Sequence, residues 1–91
     1  MVYVTLRINV EDYDKWRSGF DGREDFRRGH GHTGNKHIFR DVQNPNAITL
    51  IMEWENGEKA QAFLDDPMLK QVMQTIGVVG VPVVRAVQER V

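Results

Sequence analysis

The 91 residues are 41% hydrophobic and 27% charged with a net charge of −1, values that describe one globular domain over 1–91 and exclude a disordered chain. No apolar run approaches the roughly 20 residues of a membrane-spanning helix, so no membrane partner is expected. Basic and acidic residues, 12 and 13 in number, are interspersed without a basic face, which excludes a phosphate-tracking surface and makes nucleic acid an unexpected partner. The lack of cysteine excludes disulfides, thiolate metal sites and a Cys nucleophile.

The N-terminal MVYVTLRINVED has neither a basic leader nor a long apolar core, so the expected compartment is the cytoplasm. Val2, Val4, Leu6, Ile8 and Val10 alternate with Tyr3, Thr5, Arg7 and Asn9, which predicts a strand with one greasy face. Asp12 is placed to cap a helix in which Tyr13, Trp16 and Phe20 recur at i, i+3 and i+7, and the helix is expected to run on through Phe26 to Gly29. Gly19 and Gly22 each weaken it by roughly 1 kcal/mol relative to Ala. Arg23, Arg27 and Arg28, interleaved with Asp21, Glu24 and Asp25, read as a solvated helix face.

The segment 29–34, GHGHTG, reads as a loop, and a second strand is expected over 35–42. Asn44-Pro45 then turns the chain into a third strand, 48–54, apolar on both faces. Asn56 is a cap for the next helix, which carries Ala60, Phe63 and Leu64 on one face. Asp66-Pro67 restarts that helix, Leu69, Val72, Met73 and Ile76 continue its stripe, and Gly77 ends it. A fourth strand is expected over 81–90 with Pro82 near its start.

The resulting β-α-β-β-α-β order predicts an α+β, ferredoxin-like domain with a four-stranded antiparallel sheet and helices on one face. The other face is left uncovered, and a chain of this size buries only about two thirds of its unfolded surface. A second copy docked sheet to sheet solves both problems, so the expected partner is the chain itself, as a homodimer.

The DYDKW opening of the first helix, the block FRDVQNPNAITLIMEWENGEKAQAFLDDP and the GVVGVP entry to the last strand together resemble the dimeric α/β-barrel superfamily. The resemblance covers nearly the whole chain and is strongest toward bacterial proteins of the antibiotic-biosynthesis-monooxygenase type. It implies a barrel shared by two subunits, a cleft between helices and sheet, and cofactor-free chemistry on an aromatic or polyketide-like molecule. Heme-degrading relatives carry a Trp and a His where this chain shows Phe63 and Met73, and an Asn near Thr5, which argues against heme as a cofactor.

Candidate chemistry is sparse. His30, His32 and His37 fall within eight positions, but no fourth ligand is spaced to complete a metal site, so no metal is expected. An exposed polar loop accounts for His30 and His32. His37, held by a strand, is the candidate acid/base if it faces a cavity, or a paired interface histidine if it faces the dimer seam. Arg7 is the candidate stabiliser of an enolate or carboxylate, or else a salt-bridge partner of Glu53. Trp16, Phe20, Trp54 and Phe63 are the candidate pocket aromatics, although such stripes also serve as core. The alternative to an enzyme is a non-enzymatic ligand-binding or structural homodimer.

Overall fold

The computed structural model describes residues 1–91. Its elements are β1 (Val2–Val10), α1 (Tyr13–Asp21), α2 (Glu24–Gly29), β2 (His32–Arg40), β3 (Ala47–Trp54), α3 (Gly57–Asp65), α4 (Pro67–Thr75) and β4 (Val78–Glu89). The strands form one antiparallel sheet in the order β2-β3-β1-β4, the ferredoxin-like arrangement, with each helical layer broken in two.

Local chemistry sets the breaks. Asp12 accepts a hydrogen bond from Lys15 N at 3.0 Å, Asn56 one from Lys59 N at 2.8 Å, and Asp66 one from Met68 N at 2.8 Å, so three helices start on side-chain caps. The first helix does not continue through Phe26 as its periodicity suggests. It ends at Asp21, where Gly22 N donates to Ser18 O at 3.1 Å and Arg23 N to Phe20 O at 3.1 Å, and α2 begins afresh at Glu24.

The second and fourth strands start three residues earlier than expected, at His32 and Val78. Gly31, at φ +104°, turns the chain, and its carbonyl accepts Glu55 N at 3.0 Å, which joins the end of the glycine segment to the end of β3. His32 then sits opposite Trp54 and Lys36 opposite Met52, so β2 bulges between them and both side chains return to the helix face. Pro82 lies in a second irregularity, between Val79 and Val84, where no ladder bond is asked of it.

Alternation along the central strands divides the sheet. Val4, Leu6, Ile8 and Val10 of β1 with Ile48, Leu50, Met52 and Trp54 of β3 are buried beneath Trp16 and Phe20 of α1, Phe63 and Leu64 of α3, and Leu69 of α4. Gly19 permits close approach of α1 to the end of α4, since a Cβ there would lie 2.4 Å from Ile76 Cγ2. The opposite face presents Thr5, Arg7, Thr49, Ile51, His37, Phe39 and Val84 with no helix over it. Phe39 is 53% and Val84 41% exposed there.

Candidate functional site

Two neighbouring spaces lie between the helices and the sheet. The inner one is an almost wholly apolar cavity of about 40 Å³, bounded by Trp16, Phe20, Phe26 and Phe63 from the helices and by Leu6, Leu50 and Met52 from the sheet. The outer one is a groove of about 280 Å³ between α4 and β4. Leu6, Leu69 and Met73 line both, so the two spaces are neighbours with these side chains in common. Asp66, Lys70, Gln74 and Arg85 form its polar rim.

Beside the inner cavity stands a polar cluster built on Glu24. Arg27, 4% exposed, lies over the Phe20 ring at 3.7 Å, donates Nη1 to Phe20 O at 2.8 Å and Nη2 to Glu24 Oε2 at 2.8 Å. Lys36 Nζ and Arg28 Nε reach the same carboxylate at 3.5 and 3.2 Å. Desolvation disfavours the Glu24 carboxylate, yet the bond and charge of Arg27, helped by Lys36 and His32, outweigh it and hold Glu24 below its usual range. Burial pushes Arg27 down, but an arginine keeps its proton all the same.

His32 is also 4% exposed. Its Nδ1 lies 2.8 Å from the carbonyl of Glu53, which can only accept, so Nδ1 carries the proton. Burial pushes its pKa down, and the neutral ring leaves a bare Nε2 at 3.8 Å from Glu24 Oε1. Arg27 Nε, His32 Nε2 and Trp54 Nε1 are buried without hydrogen-bond partners.

The residues singled out in the sequence separate into two groups. Trp16, Phe20 and Phe63 line the inner cavity. Trp54 is fully buried behind them, 4.5 Å from Phe63 between ring centres and 5.3 Å from His32. His37 and Arg7 are on the other face of the sheet, paired in register with Ile51 and with Thr49 and Val84. His37 stacks on Phe39 at 6.4 Å and borders a shallow hollow of about 460 Å³ with Tyr3, Thr5 and Ile51. Arg7 is exposed and makes no ion pair: its register partner on β3 is Thr49, while Glu53 lies four positions along opposite Tyr3 and is held by Thr33, Asn35 and Tyr3.

The three histidines diverge, and no group of three or more His, Cys, Asp or Glu residues is arranged to hold a metal ion. His30 pairs with Asp66 at 2.8 Å and packs edge-on against Phe26, while His32 is buried; neither is the free loop histidine that the glycines suggest. Arg27 likewise departs from the solvated face read from its charged neighbours. The available signal was the spacing of Glu24 with Arg27 and Arg28 at i+3 and i+4, which gives the pairing but not its burial. Lys70 and Arg85, which reach the groove from separate elements, carried no sequence signal at all.

The sequence matches no protein-family model and no curated protein. Solved structures do match in shape. A candidate antibiotic biosynthesis monooxygenase from Bordetella bronchiseptica superposes with a TM-score of 0.76 at 13% identity, covering 99% of this chain and 96% of that one. SnoaB, a cofactor-independent oxygenase from Streptomyces nogalater, gives 0.73 at 13% identity over 98% and 91% of the two chains. A candidate monooxygenase of the same type from Nitrosomonas europaea gives 0.68 at 8% identity over 99% and 98%. At such identities the likeness is one of architecture: this chain has the ferredoxin-like α+β fold that these structures share.

Proposed function

We propose that the 91 residues act as one cytoplasmic domain that forms a homodimer through the uncovered sheet face and binds a small aromatic or polyketide-like molecule in the helix-sheet cleft. The observation that carries the reading is the apolar, aromatic-walled space between helices and sheet, with the groove beside it sharing Leu6, Leu69 and Met73. Ligand sites of this kind are mostly apolar clefts with a few polar groups at one end. Cofactor-independent oxidation or cyclisation is the reaction class we favour, supported by the shared architecture with SnoaB. Self-association is supported by Phe39 and Val84, which leave apolar surface on a face with no helix over it. Cytoplasmic placement accords with a chain free of cysteine.

Oxygen uptake and product analysis with polycyclic phenols test the reaction, and a thermal-shift series with the same compounds tests binding. Turnover that survives filling the groove by Met73→Trp would remove the cleft from the reaction. A second reading is favoured by the position of His37 and Arg7 away from the cleft: the cleft binds without catalysis, or the chemistry uses His37 as acid/base and Arg7 as anion stabiliser in the hollow on the open face. His37→Ala separates these, since it abolishes turnover only if the open face is the reacting one.

A further inference from the structure

The rim of the outer groove carries two cations, Lys70 and Arg85, and one carboxylate, Asp66. Lys70, on α4, has no carboxylate within ion-pair distance. Arg85, on β4, is pinned through one nitrogen, Nη2, which donates to Leu64 O at 2.6 Å and Asp65 Oδ1 at 3.2 Å, so its other guanidinium donors are uncommitted. The only carboxylate lining the groove, Asp66, is already engaged: Oδ1 by Met68 N at 2.8 Å, Oδ2 by His30 Nε2 at 2.8 Å. Lys70 therefore stands unpaired, and Arg85 keeps uncommitted donors beside its ion pair with Asp65, over an apolar floor of Leu6, Leu69, Met73 and Pro82.

We infer that the groove takes an aromatic carboxylate, its ring on the apolar floor and its carboxylate between Lys70 and Arg85. The inference rests on the reading of the helix-sheet cleft as the ligand site and adds the charge of the ligand. Arg85 suits the head-group role because the bonds to Leu64 and Asp65 fix its planar fork in advance, while Lys70 supplies a mobile point charge. Both cations are solvated, so the gain over a neutral isostere is modest and falls as salt screens it.

The test is calorimetry of the full chain with 2-naphthoate and its neutral isostere 2-naphthamide at low salt, in the native protein, Lys70→Gln and Met73→Trp. The acid is expected to bind about five- to tenfold tighter than the amide, with the preference shrinking in Lys70→Gln and both compounds lost in Met73→Trp. Lys70 is exposed and unpaired, so its substitution leaves folding intact, and matching melting curves check this. Equal affinity for acid and amide, or an undiminished preference in Lys70→Gln, overturns the anionic-ligand inference while leaving the cleft reading in place. Binding that persists in Met73→Trp, or no binding of either compound to the native protein, overturns both.

Discussion

Arg27 Nη2 lies 2.8 Å from Glu24 Oε2, with the Arg27 side chain 5% and the Glu24 side chain 26% exposed. The same guanidinium takes the last carbonyl turn of α1 and covers the Phe20 ring, so one pair joins two helices across the break at Gly22. Removing one member leaves the other charged and poorly hydrated. Glu24→Gln is expected to cost about 2 kcal/mol, less than for a fully buried pair because water still reaches the carboxylate. Urea titration should show a lowered midpoint with an unchanged slope.

Stability should fall in two stages on acidification. The pKa of His32 is pushed down on folding, so below its ordinary value of 6.5 the unfolded chain takes up a proton that the buried ring refuses. Glu24 is also held below its usual 4.5, so its contribution is present above that value and is lost as pH drops through the still lower folded-state pKa. Denaturation curves from pH 7.5 to 3 should therefore begin to slope downward below His32's ordinary value of 6.5, with a further fall below Glu24's ordinary 4.5. His32→Asn should flatten that first stage, while Glu24→Gln flattens the lower one.

Gly19→Ala should destabilise the protein although alanine favours a helix by about 1 kcal/mol. The new methyl group would meet Ile76 Cγ2 at 2.4 Å and Cβ at 2.7 Å, a clash that backbone movement alone relieves. A net loss of about 1 to 2 kcal/mol is expected. Adding Ile76→Ala should give only partial rescue, because it removes Cγ2 but keeps Cβ. A thermal double-mutant cycle measures this coupling.

Most of the architecture was legible because the central strands keep an apolar residue at every second position and three helices begin on Asp12, Asn56 and Asp66, signals that act locally. The start of β2 was not, since glycines on both sides of His32 read as a loop and only pairing with Trp54 makes the segment a strand. Register also decides which face His37 occupies. Its strand alternates weakly, Lys36, Ile38 and Arg40 against His37 and Phe39, so no local pattern says which set goes inward. Burial of Arg27 and His32 is a tertiary effect for the same reason, arising where α2 folds back over β2.

On the open face, Phe39→Asp together with Val84→Asp should leave the monomer folded and abolish self-association, since both side chains already meet water in one chain. Sedimentation equilibrium should give twice the chain mass for the native protein and the single mass for the double variant. His37→Ala, at an exposed position, should change stability by no more than about 0.5 kcal/mol.

The helix-sheet cleft as ligand site is tested most directly by titrating methyl-labelled protein with polycyclic phenols and following the NMR signals of Leu6, Leu69 and Met73 against those of Ile51 and Val84. Saturable shifts at the first three, with the open-face methyl groups unmoved, are the predicted result. Shifts confined to Ile51 and Val84 would place the ligand between the sheets and contradict the account.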